Sequence, residues 1–357
     1  MSKFNFPKIT FQQILDSPGG SNMRLGIEKD ESENLLITGC AGSGKTTVAL
    51  WRVDSWEKRN MNTIFFVYNN LLKTYLQNAS FSYPQEKICS FYKWYWNEFR
   101  GLFSESDDDI IKHNFDKYVE INGKFDAIMV DEGQDLPDKF YRNIIHLTNH
   151  ITICADGNQR GNEDGVLVDG LVDTLDIFHI ELTHNFRNTK EIYDFAKRVL
   201  PNNEVVNQEN YTIDTRSDID SVPIIYKCET EEEENDRIIN IIQEYKDSIG
   251  GIVIALDKKD KINDMYNFLT SRKIDCSMHH SEEKITEFVS PLITTYKSIR
   301  GLEFDVVIVP KINDNYFGER EDLYAVLTRA KERLFIIDHL GLPEHIKNIP
   351  KDYYNIF

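Results

Sequence analysis

The stretch Gly39-Cys40-Ala41-Gly42-Ser43-Gly44-Lys45-Thr46 satisfies the pattern G-x-x-x-x-G-K-[ST] at each fixed position. That pattern has meaning only between a buried strand and a helix, so it constrains the fold as well as the chemistry. Both flanks are legible here. Leu35–Thr38 reads as a short buried strand, and Thr47–Trp56 as a helix carrying Val48, Ala49, Val53 and Trp56. In this setting glycines let successive backbone N–H groups point at phosphate oxygens, and the helix N-terminus adds partial positive charge. Lys45 is then placed to reach the β- and γ-phosphates and the Thr46 hydroxyl to ligate Mg²⁺, with Thr47 next in the nucleotide-binding set. A glycine-rich turn arising by chance would not explain the flanks. The pattern predicts a nucleoside triphosphate site.

With 357 residues the chain is too long for one comfortable core and suits two domains. Its 41% hydrophobic and 12% aromatic content is that of a folded protein rather than a disordered one. No apolar run approaches the roughly 20 residues of a membrane span, and Met1–Phe4 has no signal-peptide core. Five scattered cysteines without a C-x-x-C pair predict reduced thiols. These features together predict a cytoplasmic protein with no membrane partner.

Short apolar runs recur as candidate strands of parallel sheets buried on both faces. They are Leu35–Thr38, Thr63–Tyr68, Ala127–Val130 and Ile151–Cys154 in the first half, then Ile224–Tyr226, Gly251–Leu256, Leu292–Thr295, Val306–Val309 and Phe335–Ile337. Helical stretches lie between them, among them Asp138–Leu147, Thr189–Val199, Glu232–Tyr245 and Leu323–Lys331. Alternation of this kind predicts the α/β class with right-handed crossovers. A boundary near Phe178–Glu181 divides the chain into domains 1–180 and 181–357. The formal charge of −18 runs against the basic surface usual in nucleic-acid-binding proteins. Much of it sits in the runs Glu105–Asp109 and Glu229–Glu234, which read as solvated loops or helix faces.

A second acidic site follows the strand Ala127–Val130. Asp131-Glu132 there places two carboxylates at the carboxyl end of the sheet, where open α/β sheets bind ligands. Asp131 could hold Mg²⁺ through water, and Glu132 could orient or deprotonate the attacking water. Alone, such a pair is mostly a solvated turn; downstream of a phosphate loop it reads as catalytic.

The string Val130-Asp131-Glu132-Gly133-Gln134-Asp135-Leu136 resembles the V-D-E-x-Q-D motif of UvrD-like superfamily 1 helicases. Further segments follow in that family's order. Ile153-Cys154-Ala155-Asp156-Gly157-Asn158-Gln159 is similar to its third motif, and Leu182-Thr183-His184-Asn185-Phe186-Arg187-Asn188 resembles its N-[YF]-R motif. Thr294-Thr295-Tyr296-Lys297-Ser298-Ile299-Arg300-Gly301-Leu302-Glu303-Phe304 is similar to T-x-H-x-x-K-G-L-E-F, and Leu323–Lys331 to Y-V-A-x-T-R-A. Weaker echoes lie at Phe65–Asn70 and Cys89–Tyr92. The resemblance runs from about Leu35 to Phe335.

It implies two RecA-like P-loop NTPase domains, each a mostly parallel sheet flanked by helices, and an ATP-dependent translocase or helicase acting on single-stranded DNA. ATP and Mg²⁺ are the implied cofactors. The catalytic set it implies is Lys45, Asp131, Glu132, Gln159 as the γ-phosphate sensor, and Arg187 and Arg329 supplied from the second domain. An arginine so supplied is worth roughly 10³–10⁵ in rate. Phe186 would stack on the adenine and Glu303 would contact the ribose or nucleotide. Implied strand contacts are Asn69, Phe91, Tyr92, Thr294, Thr295 and Lys297, by base stacking and phosphate binding. The aromatic run Phe91–Trp96 reads equally as a stacking surface or as core packing.

The chain departs from the family pattern at several places. Gln159 is followed by Arg160-Gly161-Asn162 without the aromatic that stacks on bases. Tyr296 and Arg300 stand where the family has histidine and lysine. Gln12 and Gln13 are poor candidates for an adenine-reading glutamine. Room for the family's inserted subdomains is missing between Ser90 and Phe125 and between Arg187 and Thr294. These departures keep a second function in view: a nucleotide-gated regulatory subunit that binds a protein partner, such as a nuclease, without unwinding DNA.

Overall fold

The computed structural model describes residues 10–68, 70–78, 83–102, 107–156, 170–172, 175–200, 212–213, 221–279, 289–312 and 320–357. The chain divides into two compact units, Pro7–His184 and a second dominated by Asn185–Phe357. Each is built on its own parallel sheet.

In the first unit the strands are β1 (Asn34–Gly39), β2 (Thr63–Val67), β3 (Ile88–Ser90), β4 (Ala127–Val130), β5 (Ile151–Ala155) and β6 (Ile177–Leu182). They lie in the order β3-β2-β4-β5-β1-β6, every pairing parallel. Strands β2, β4 and β5 are buried throughout, which is why their sequences are unbroken apolar runs and not alternating ones. The register aligns Leu36 with Ile153 and Val130 with Ile153, so the carboxyl ends of β1, β5 and β4 stand side by side. The helices that follow include α1 (Phe11–Asp16), α2 (Gly20–Glu28), α3 (Lys45–Lys58), α4 (Asn70–Asn78), α5 (Phe91–Glu98), α6 (Asp108–Asn122) and α7 (Asp138–Ile144).

Strand β6 occupies the stretch where the boundary is expected. It pairs with β1 along its whole length, from Asn34–Ile177 to Gly39–Leu182, and the units divide after His184. As an edge strand it is half-exposed and carries His179 and Glu181, so its sequence lacks the apolar run of the central strands.

Two two-residue strands, β7 (His184–Asn185) and β8 (Thr212–Ile213), precede the second sheet. That sheet contains β9 (Ile224–Lys227), β10 (Ile252–Leu256), β11 (Ser277–Met278), β12 (Leu292–Thr295), β13 (Phe304–Pro310), β14 (Ala330–Asp338) and β15 (Asn355–Ile356). Its order is β11-β12-β10-β13-β14-β9-β15, again parallel throughout. The helices of this unit include α8 (Lys190–Ala196), α9 (Glu231–Glu244), α10 (Lys259–Ser271) and α11 (Arg320–Leu327).

Two local expectations are corrected, the end of one helix and the burial of Glu234. The helix read over Leu323–Lys331 stops at Leu327, because Ala330 opens β14 and pairs with Phe304. In the run Glu105–Asp109, read as solvated loop or helix face, the described part is an exposed helix start: the Asp107 carboxylate accepts from the backbone N–H of Asp109 (3.0 Å) and Ile110 (3.3 Å), opening α6. Likewise Glu231–Glu234 form the first turn of α9, where negative charge suits the helix dipole, and Glu234 is fully buried. Among the described residues no helix is long and apolar enough to cross a membrane. All five cysteines are free.

Candidate functional site

The phosphate-loop pattern occupies the turn from the end of β1 into α3. Its glycines are there for steric reasons. A Cβ on Gly39 would lie 2.4 Å from Ser43 Oγ and 2.7 Å from the Leu182 carbonyl oxygen. Gly44 caps α3 with φ near +91°, a left-handed conformation that other residues adopt only with strain. Cys40, Ala41, Ser43 and Thr47 are buried in the same turn, while Gly42 and Thr46 are half-exposed.

Lys45 folds back across the loop. Its Nζ donates to the carbonyl oxygens of Gly39 (2.8 Å) and Cys40 (2.9 Å) and lies 3.6 Å from Asp156 Oδ2. Thr46 Oγ1 donates to Asp131 Oδ2 at 2.8 Å, bringing together the hydroxyl and the carboxylate that the sequence assigns to a metal. Asp131 is 1% exposed, and its Oδ1 accepts from the Glu132 backbone N–H at 3.0 Å. Burial, and next the Glu132 carboxylate, push the Asp131 carboxyl well above the usual carboxylate range; the Thr46 hydroxyl and the Lys45 ammonium pull the other way.

Glu132 sits in the left-handed region at φ 55° although it is not glycine, a conformation costing on the order of 1 kcal/mol and typical of functional sites. Its Oε2 accepts from Gln134 Nε2 at 2.7 Å, and Gln134 Oε1 in turn accepts from the Asp156 backbone N–H at 3.0 Å. Gln134 therefore ties the loop after β4 to the loop after β5. Neither Gln134 nor Asp156 is among the sequence-predicted site residues, although both stand inside the quoted motifs. Beneath this group, Cys154 is fully buried with its Sγ 3.6 Å from the Lys45 carbonyl oxygen, and burial holds its thiol well above the ordinary range. Gln159 lies outside the described residues. Gln13 is used elsewhere: its Oε1 accepts from the Thr10 N–H (2.8 Å) and closes the capping box of α1.

A second cluster forms within the other unit. Asn185 Oδ1 accepts from the backbone N–H groups of Arg187 (3.0 Å) and Asn188 (3.1 Å). Asn188 Nδ2 donates to the carbonyl oxygens of Thr328 (2.9 Å) and Ala330 (2.6 Å), the two residues flanking Arg329. These asparagines, absent from the predicted set, hold the two arginine segments against each other. Arg187 Nε donates to Glu303 Oε2 at 3.0 Å, while its Nη1 is buried without a hydrogen-bond partner among the described residues. Arg329 is 2% exposed; its Nε donates to the Ala325 carbonyl oxygen (2.7 Å) and its Nη1 to that of Leu302 (3.4 Å). Phe186 is half-buried. Arg187, Glu303 and Arg329, scattered in sequence, thus share one locality.

The predicted strand contacts fare differently. Phe91 is corrected to a core residue: it is 3% exposed, and its ring centroid lies 4.2 Å from that of Phe140 and 5.8 Å from that of Phe66. Thr294 is corrected likewise, being fully buried in β12. The Thr295 hydroxyl makes a turn, donating to Ser298 Oγ at 2.9 Å and accepting from the Ser298 N–H. Tyr92 is half-buried and Lys297 exposed. Tyr296 and Arg300 are both buried; counted back from Gly301-Leu302-Glu303-Phe304, however, the family's histidine position falls on the exposed Lys297 and not on Tyr296. Asn69 lies outside the described residues.

No protein-family model matches the chain, and no curated protein matches it either. Solved structures do. The Pif1 helicase from Candida albicans aligns over 94% of this chain and 98% of its own with a TM-score of 0.50 and 12% identity. The PRRSV helicase aligns over 88% of this chain at a TM-score of 0.44 and 13% identity, and this chain spans 54% of it. The C-terminal domain of a possible DNA helicase from Lactobacillus plantarum WCFS1 aligns over 48% of this chain and 98% of its own, with 19% identity and a TM-score of 0.38. The likeness to Pif1 shows the fold: parallel α/β sheets of the RecA-like kind.

Proposed function

We propose that the chain is an ATP-dependent translocase or helicase on single-stranded DNA, of the superfamily 1 class and resembling its UvrD-like branch. The observation that carries this reading is the Thr46–Asp131 hydrogen bond beside Lys45, at the carboxyl ends of β1 and β4. A hydroxyl and a carboxylate oxygen, both hard donors, suit Mg²⁺, which binds few protein groups and completes its shell with water and phosphate. Thr46 and Asp131 would hold it, and the ion would neutralise charge on the β- and γ-phosphates. Lys45 exchanges two loop carbonyls for phosphate oxygens. Glu132, aimed by Gln134, orients and deprotonates the attacking water. Arg187 offers a buried donor in need of an acceptor, and Arg329 a second fixed charge; supplied to the γ-phosphate, both act where charge develops.

Steady-state ATP hydrolysis with and without single-stranded DNA tests this, with Glu132→Gln as control. Stimulation by DNA, absent in the variant, is expected. Hydrolysis indifferent to DNA favours a second reading, a nucleotide-gated subunit that binds a protein partner such as a nuclease. The burial of Phe91 and Thr294 and the charge of −18 support that alternative.

A further inference from the structure

The segment Tyr296–Glu303 runs from an exposed lysine to the arginine cluster. It leaves β12 as a turn, with the N–H groups of Ser298 and Ile299 both donating to the Thr295 carbonyl oxygen at 3.1 Å. Lys297 is exposed on this turn. Arg300 points inward at 2% exposure and makes a hydrogen-bonded ion pair with Asp322, itself 3% exposed, in the first turn of α11. Downstream, the Leu302 carbonyl oxygen accepts from Arg329 Nη1 (3.4 Å), while Arg329 Nε holds the Ala325 carbonyl oxygen of α11 (2.7 Å). The next residue, Glu303, holds Arg187. The segment is therefore fastened to α11 at both ends of that helix, by Arg300–Asp322 at the first turn and by Arg329 beyond the last.

We propose that Arg300 and Asp322 are positioning residues that couple nucleic-acid binding to ATP turnover. Their ion pair fixes the Lys297 turn to α11, so that a strand phosphate bound at Lys297 sets where Arg329 and the Arg187–Glu303 pair stand. This inference rests on the function proposed above.

Three observations support it. A buried ion pair is a poor source of net stability against an apolar pair of the same volume, so its presence between these elements calls for another account. Residues Asp322–Leu327 of α11 are all buried, so the helix can move only as a packed body. The Arg329 guanidinium is bonded to the segment on one side and to the helix on the other. Sliding one past the other breaks one of its bonds, and the ion pair is placed to resist that slide.

The decisive comparison is between the wild-type chain and the double variant Arg300→Met/Asp322→Leu, which removes both charges together. Thermal melting, unstimulated ATP hydrolysis, hydrolysis at saturating oligo-dT, and oligo-dT affinity by fluorescence anisotropy are measured. The expected result is unchanged melting and unstimulated turnover, affinity within about threefold, and stimulation reduced by about tenfold, within the range of ordinary coupling between sites. A double variant stimulated as strongly as wild type would overturn the coupling alone. A wild-type chain that hydrolyses ATP equally with and without DNA would overturn the functional reading and the coupling with it. Should the double variant not fold, Arg300→Lys replaces it, since lysine keeps the charge but loses the planar fork. Stimulation about threefold or more below wild type then supports the pair's role, and wild-type stimulation overturns it.

Discussion

The phosphate-loop cluster of the first unit and the arginine cluster of the second are assembled in opposite ways. In the first, functional side chains bond one another: Thr46 to Asp131, Gln134 to Glu132, with Lys45 close to Asp156. Its backbone geometry comes from glycines and from one strained residue, Glu132. In the second, Arg329 is held by the backbone carbonyls of Ala325 and Leu302, Arg187 by the Glu303 carboxylate, and two asparagines fix the backbone segments that carry them. A carboxylate-rich site tolerates direct side-chain pairing because hydroxyl, amide and ammonium donors are at hand. Guanidinium groups have only donors, so a buried arginine needs an array of acceptors that the main chain supplies. The lesson is that the acidic cluster depends on the identity of its motif residues, and the placing of Arg329 on the architecture around it.

That contrast can be broken by substitution. Lys45→Ala should have the largest effect, lowering turnover by roughly 10³-fold or more with weakened nucleotide binding, since it removes the ammonium that lies across the loop against the Gly39 and Cys40 carbonyls. Glu132→Gln should cost roughly 10²–10⁴ in turnover while leaving nucleotide affinity intact. If that variant hydrolyses ATP like the wild type, the carboxylate is misassigned. Arg329→Ala is expected to lower kcat more than it raises KM for ATP, by roughly 10²-fold or more.

Two smaller effects sharpen the comparison. In the first unit, well away from the phosphate loop, His150 is held to a pKa of about 4 by burial and then by Arg52, with its Nε2 2.7 Å from Thr152 Oγ1. A lowered folded pKa means that its contribution is fully present above the unfolded value of about 6.5 and is lost as pH falls towards 4. The first unit should therefore lose up to about 3 kcal/mol of stability over that window, measured by denaturant melts against pH, and His150→Gln should flatten the slope. Asn188→Ala leaves the Thr328 and Ala330 carbonyls unpaired and should cost about 1–3 kcal/mol. It should also lower ATP turnover without touching a nucleotide-binding residue. Full turnover in Asn188→Ala would show that the asparagine bracket is not what places Arg329.

Much of the first cluster was readable in contiguous residues. The pattern 39–46, the strand before it and the acidic pair after β4 each occupy a single stretch, and parallel strands bring their carboxyl ends together almost automatically. Gln134 and Asp156 were printed in the same motifs, yet their bond spans two loops and shows only in three dimensions. The arginine cluster was readable as residue types but not as an arrangement, because Asn188 reaches Thr328 and Ala330 across much of the second unit's sequence. Strand β6 and the end of α11 escaped for a related reason: pairing with β1 and with Phe304 overrode local composition.

The amino-acid sequence determined that the chain is α/β and where the strand–turn–helix carrying the G-x-x-x-x-G-K-[ST] pattern lies, since those features depend on spacing and period within single elements. Tertiary structure decided which side of the fold each side chain serves. Phe91, in an aromatic run open to two readings, became core against Phe140 and Phe66. Arg300, in a motif expected to meet a strand, turned inward to Asp322. Burial and partner choice depend on what the rest of the chain brings to a place, and no local pattern carries that information.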